Sequence, residues 1–151
     1  MTGTIPPELG NLTNLEEMPL SNNNFEGSIP ASFGNLTKIR ELWLGYNNLN
    51  GSIPLELSNL VDIETLSLSN NNLSGPIPTW LGNLVKLQFI FLSDNMLTGA
   101  IPAEFVNLNN PLILELNNND LSGCYPDTLQ VLCKKSFSNN EISDGNNFDA
   151  Y

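Results

Sequence analysis

One spacing governs the chain. Cut before Leu12, Leu36, Leu60, Leu84 and Leu108, it falls into five consecutive 24-residue units without an insertion. The units read LTNLEEMPLSNNNFEGSIPASFGN, LTKIRELWLGYNNLNGSIPLELSN, LVDIETLSLSNNNLSGPIPTWLGN, LVKLQFIFLSDNMLTGAIPAEFVN and LNNPLILELNNNDLSGCYPDTLQV. Asn23, Asn47, Asn71, Asn95 and Asn119 share one register. Gly27, Gly51, Gly75, Gly99 and Gly123 share a second, and Pro30, Pro54, Pro78, Pro102 and Pro126 a third. Residues 1–11 supply the second half of a further unit. A period of this length points to stacked coils, none of which can bury its apolar face alone.

Within a unit, Leu15, Met18 and Leu20, or Leu87, Ile90 and Leu92, alternate as a short half-buried strand requires. The Asn that follows sits where the chain turns. Its amide can satisfy backbone groups of the turn and of the adjacent coil, so stacked units build an Asn ladder. This accounts for a composition with 25 asparagines, in a chain where free strands and helices would disfavour them. The Gly permits the next bend, and the Pro after an inward Ile ends strand pairing.

The 24-residue period with N-x-L-x-G-x-I-P and L-G-N-L resembles the plant-specific class of leucine-rich repeats. That class includes polygalacturonase-inhibiting proteins, receptor-like kinase and receptor-like protein ectodomains, and a carrot-type antifreeze protein. The resemblance implies an α/β repeat solenoid, a right-handed superhelix with a parallel concave β-sheet. It also implies short second β-segments near the G-x-I-P stretch and a 3-10 or irregular convex side. With strands about 4.8 Å apart, five units give a concave sheet about 20 Å wide, a short arc. The repeats span residues 1–131: the partial unit 1–11, then full units from 12, 36, 60, 84 and 108.

Past Leu132 the register would bury Lys135, Ser138 and Asn140 at stations held earlier by Leu or Ile. Burying lysine is expensive, so 132–151 is expected to leave the coil as a C-terminal cap and tail. Cys124 and Cys133 fall there and read as a capping disulfide in a secreted protein; two reduced, separately buried thiols are the alternative. Met1 falls at the station of Phe25, Leu49, Leu73 and Leu97, so the chain starts in mid-coil. The expectation is a fragment of a longer secreted or cell-surface protein, able to self-associate through its uncapped first coil.

Sixteen acidic against five basic side chains give a net charge of −11, which opposes nucleic acid, polyanions and anionic lipid. Histidine is absent, removing the commonest general base and every His-ligated metal site. No apolar run approaches the length of a membrane span, and no leader follows Met1. The pairs Glu16/Glu17 and Glu41/Glu64 are the nearest approach to a carboxylate dyad, but a solenoid face offers no deep dry pocket. Asp144-Gly-Asn146 reads as a turn, not a calcium loop. No enzyme, cofactor or metal site is expected.

The strand alternation sets the outward rows. The first is Glu17, Glu41, Thr65, Phe89, Ile113, and the second Pro19, Trp43, Ser67, Phe91, Glu115. Next come Ser21, Gly45, Ser69, Ser93, Asn117 and then Asn22, Tyr46, Asn70, Asp94, Asn118. Trp43, Tyr46, Phe89 and Phe91 are candidate anchors for a partner, rimmed by Glu17, Glu41, Glu64 and Glu115. The bland alternative is that large residues on a curved sheet cover one another. Four sequons, at Asn11, Asn35, Asn50 and Asn72, mark candidate glycosylation sites.

The leading expectation is a non-catalytic module that binds a protein, peptide or glycan partner, of basic character, through the concave face. A second is ice binding by the runs Asn22–Asn24, Asn70–Asn72 and Asn117–Asn119. A third is a structural spacer.

Overall fold

The structure, a computed structural model, describes residues 1–108 and 113–122. The expected cap 132–151, the pair Cys124 and Cys133, and Asp144-Gly-Asn146 lie outside the described residues. Each coil contributes one strand to each of two parallel sheets. The concave sheet holds Glu17–Pro19, Glu41–Trp43, Thr65–Ser67, Phe89–Phe91 and Ile113–Glu115, side by side in chain order. The other sheet has six strands: Thr2–Thr4, Asn24–Gly27, Asn48–Gly51, Asn72–Pro76, Met96–Gly99 and Asp120–Leu121. Turns of 3-10 helix at Pro7–Asn11, Ala31–Asn35, Leu55–Asn59, Thr79–Asn83 and Ala103–Asn107 complete the coils.

The second strand lies just ahead of the G-x-I-P stretch, on N-x-L-x-G. The reason is the glycine, which at Gly27 takes φ 77 and turns the chain out of the sheet. The proline that follows opens the 3-10 turn, as Pro30 does at φ −62.

Between the sheets and turns runs one core, built from the same stations in every coil. Leu42, Leu66 and Ile90 occupy its concave side, Leu49, Leu73 and Leu97 its six-stranded side, and Phe33, Leu57, Leu81 and Phe105 its convex side, all fully buried or nearly so. Such a side chain contributes about 1.5–3 kcal/mol by leaving water. The convex turns nest because glycine allows it: a Cβ on Gly34 would lie 2.4 Å from the carbonyl oxygen of Glu56. Ser58 carries a Cβ at that station, and the turns Leu55–Asn59 and Thr79–Asn83 stand further apart than their neighbours.

The Asn ladder forms as the repeat implies. The Asn71 amide donates to the carbonyls of Leu68 (3.0 Å), Ser69 (3.4 Å) and, in the preceding coil, Leu44 (3.1 Å). Its Oδ1 accepts the Leu49 N–H at 2.9 Å. Asn47, Asn95 and Asn119 repeat the same pattern. One side chain thus stitches each turn to the coil before it.

The two sheets differ in shear. On the concave sheet a residue pairs with its own repeat equivalent, Glu41 with Thr65. On the six-stranded sheet the partner falls two positions short of the equivalent, so Asn50 pairs with Asn72.

Candidate functional site

The concave rows fall in the expected register: Glu17, Glu41, Thr65, Phe89 and Ile113 in one, Pro19, Trp43, Ser67, Phe91 and Glu115 in the next. Trp43 and Phe91 are two strands apart, yet their ring centroids come to 6.3 Å because both lean over the small Ser67. Phe89 and Phe91 stack along one strand at 6.2 Å. Such pairs add about 1 kcal/mol each beyond area burial. The indole N–H of Trp43 donates to Glu41 Oε1's partner oxygen, Oε2, at 2.9 Å, which fixes the ring. Trp43, Phe89 and Phe91 are consequently half-buried, and they shield Thr65 and Ser67 beneath them. Mutual covering therefore accounts for part of this aromatic surface. It does not account for Tyr46, which is 58% exposed.

Tyr46 is unusual in its backbone as well. Its row, with Asn22, Asn70, Asp94 and Asn118, lies beyond the strand ends in the left-handed region, at φ 55 to 59. Asn and Asp tolerate that conformation; tyrosine does so only with strain. The row is therefore a turn station and not a continuation of the strand. Between it and the aromatic row run the small residues Ser21, Gly45, Ser69 and Ser93, of which Gly45, Ser69 and Ser93 are buried. Ser93 and Ser69 hydroxyls bond at 2.9 Å, while the buried Ser21 Oγ has no hydrogen-bond partner among the described residues. At the far side Asn118 donates to Asp94 Oδ1 at 2.6 Å. Burial, and secondarily the nearby Asp94 charge, push the Glu115 carboxyl above its ordinary pKa.

One residue of the acidic rim, Glu64, is ion-paired. Glu64 lies on the flank ahead of its strand, where it accepts from Arg40 at 2.7 and 2.9 Å. The same flank carries Lys86–Asp62 at 2.6 Å and Lys38 donating to Asn14 at 2.7 Å. Together with Glu16 these groups line an open depression of about 390 Å³. Glu64 raises the Arg40 pKa by hydrogen bonding and charge. Glu64 is thus ion-paired with Arg40, while the Glu41 carboxylate accepts from the Trp43 indole. Glu17, Glu41, Asp94 and Glu115 make no ion pair among the described residues. The concave face is thus acidic and aromatic, and the described cations gather on one flank.

The Asn runs do not make one surface. Asn70 sits at the left-handed turn station, Asn71 is buried in the ladder, and Asn72 is exposed on the six-stranded sheet. The sequon residues Asn11, Asn35, Asn50 and Asn72 are all exposed. Among the described residues no cluster of three acidic, Cys or His side chains could hold a metal ion, and no helix is long and apolar enough to cross a membrane.

The Leucine Rich Repeat family model matches residues 14–36, 38–60, 62–84 and 86–108. The chain belongs to the leucine-rich repeat family. Comparison with curated protein sequences gave no match. Among solved structures, this leucine-rich repeat protein is similar to the Arabidopsis receptor kinase HAESA in complex with the peptide hormone IDA and the co-receptor SERK1. There the TM-score is 0.81 and the identity 39%, over 85% of this chain and 21% of that one. A TDR receptor gives a TM-score of 0.84 at 40% identity, over 87% of this chain and 23% of the receptor chain. A plant ice-binding protein gives 0.82 at 35% identity, over 85% of this chain and 42% of that one. The chain spans about a fifth of the length of the PEPR1 and HAESA chains it matches.

Proposed function

We propose that this protein is a non-catalytic recognition module, secreted or displayed at the cell surface, that binds an extended basic peptide or protein segment across its concave face. The observation that carries the reading is the separation of charge. Carboxylates without ion-pair partners and aromatic rings share the concave face, while Lys38, Arg40 and Lys86 are occupied on the flank. A ligand lysine or arginine would meet Glu17 and Glu41 near one edge of the sheet and Asp94 and Glu115 near the other, with Trp43 and Phe91 offering ring faces between. The likeness to a receptor kinase solved with a peptide hormone supports a role in signalling or defence. Panning a display library of linear peptides on the full chain tests it. Enrichment of Lys- or Arg-containing sequences bearing an apolar or aromatic residue is expected; enrichment of acidic sequences, or none, overturns the reading.

A second reading, binding to an ice surface, is supported by the likeness to a plant ice-binding protein. The exposed Asn48, Asn50, Asn72 and Thr98 of the six-stranded sheet would carry it. Ice-recrystallisation assays of the wild type decide it, since an inactive protein eliminates this reading.

A further inference from the structure

The flank ahead of the concave strands carries every cationic side chain of the described residues, Lys38, Arg40 and Lys86, together with the anions Glu16, Asp62 and Glu64. In a chain of net charge −11 it is a patch whose charges cancel. Two outward stations alternate there with the buried Ile39, Ile63 and Leu87. The first holds Asn14, Lys38, Asp62 and Lys86, and the second Glu16, Arg40, Glu64 and Gln88. Coil by coil the flank is therefore singly negative, doubly positive, doubly negative and singly positive. Read from the other end, the same order has every sign inverted. A surface with that antisymmetry is complementary to itself turned end for end, which is what a two-fold contact requires. We propose that this flank docks a second copy of the chain, the two related by a two-fold axis that runs along the strand direction between the second and third full units.

About such an axis Lys38 faces Asp62 of the second copy and Arg40 faces its Glu64, and each contact occurs twice. At the ends Asn14 faces Lys86, and Glu16 faces Gln88. The groups have capacity left for this. Arg40 gives Nε and Nη2 to Oε1 of Glu64 at 2.9 and 2.7 Å, and Lys86 reaches Oδ1 of Asp62 at 2.6 Å. Glu64 Oε2, Asp62 Oδ2 and Arg40 Nη1 bond to no described residue, and the Lys38 ammonium meets the neutral Asn14 at 2.7 Å. A carboxylate accepts at both oxygens and a guanidinium donates from five N–H groups, so the pairs within each chain persist and the second copy adds to them. Exposed pairs of this kind are worth little alone; alternated across two copies they join into one network. Val61 and Val85, 60% and 53% exposed and next in the chain to Asp62 and Lys86, bring apolar area to it. A shift by one coil in either direction would set Lys38 and Arg40, or Asp62 and Glu64, against their own equivalents, so the pattern fixes the register. Four coils of one flank bury less than a permanent dimer needs, which makes the contact weak and salt-sensitive. It uses no residue of the concave rows. The inference goes beyond the recognition reading and does not depend on it.

Sedimentation equilibrium of the full chain over a range of protein concentrations, at low and high salt, tests it. A dimer at low salt that dissociates as salt rises is expected. Lys38→Glu/Arg40→Glu and Asp62→Lys/Glu64→Lys each oppose like charges across the axis, so each should be monomeric where the wild type is dimeric. Mixed in equal amounts they restore every opposite pair and should form a heterodimer, although both variants remain acidic overall. Three results would each overturn the proposal: a wild type that stays monomeric at low salt, a variant that dimerises as the wild type does, or two variants that stay monomeric when mixed. The second of these would place the contact on another surface, such as the first coil. Thermal midpoints provide the folded control. Should a double variant fail to fold, Lys38→Gln, which keeps the Arg40–Glu64 pair, must still weaken the dimer several-fold, and an unweakened dimer overturns the proposal.

Discussion

Asn71 and Asn72 are neighbours in the chain with opposite duties, and replacing each by alanine separates them. Asn71→Ala removes the acceptor for the Leu49 N–H, in a residue with no solvent exposure. An unsatisfied buried N–H costs about 1–3 kcal/mol. The Leu44 and Leu68 carbonyls also lose a donor, although Asn47 and Asn95 still reach them at 3.0 Å. Those two losses are worth about 1 kcal/mol each. The Ser69 carbonyl keeps the Tyr46 N–H at 2.8 Å and adds little. The total is about 3–5 kcal/mol, a large share of a domain's net stability of about 5–15 kcal/mol. Asn72→Ala, on the exposed face, should stay within about 0.5 kcal/mol. Urea unfolding of the full chain followed by far-ultraviolet circular dichroism measures both. Because a solenoid can unfold in sections, a lower slope for Asn71→Ala alone would show the break occurring locally. Equal stabilities for the two variants, to within about 1 kcal/mol, would refute the reasoning.

Three further outcomes follow from the site. Tyr46→Asn should relieve left-handed strain, stabilise by about 1 kcal/mol and raise the midpoint by about 2–4 °C, while weakening ligand binding; a lowered midpoint in calorimetry would show that Tyr46 is not strained. Gly34→Ala should destabilise by about 1–3 kcal/mol, because its Cβ must displace the Glu56 backbone, whereas Ser58→Gly should be nearly neutral; thermal melts compare them. The folded-state pKa of Glu115 is raised, so its stability contribution is full below the ordinary carboxylate range and falls as pH rises through the raised value. Glu115→Gln should therefore gain midpoint over wild type at neutral pH and lose that gain near about pH 3, and a difference constant across pH would contradict the assignment.

The sequence disclosed the coil and the concave rows because there the pairing offset equals the repeat, so Glu41, Thr65 and Phe89 align by counting alone. The ladder was legible for the same reason, in the invariant spacing of Asn47, Asn71 and Asn95. Where shear departs from the period, counting fails: nothing in the spacing of Asn50 and Asn72 shows them to be partners. Tyr46 hid its strain because an aromatic residue carries no left-handed signal, although Asn, Asn, Asp and Asn at its sister positions supplied one. Glu64 was read by its charge without Arg40, one unit earlier, which lies on the same flank and takes it. The Asn runs read as one array along the chain, but their adjacent positions fall in three different surroundings: a left-handed turn, the buried ladder and an exposed strand.

Titration calorimetry of a display-selected peptide tests the concave face most directly. Wild type, Trp43→Ala/Phe91→Ala and a six-stranded-sheet control, Met96→Ala, should be compared at equal fold content. Binding at least about tenfold weaker, equivalent to about 1.4 kcal/mol, is expected for the double variant, and no change for the control. Undiminished binding by the double variant, or a loss confined to Met96→Ala, would contradict that expectation and move recognition off the concave face.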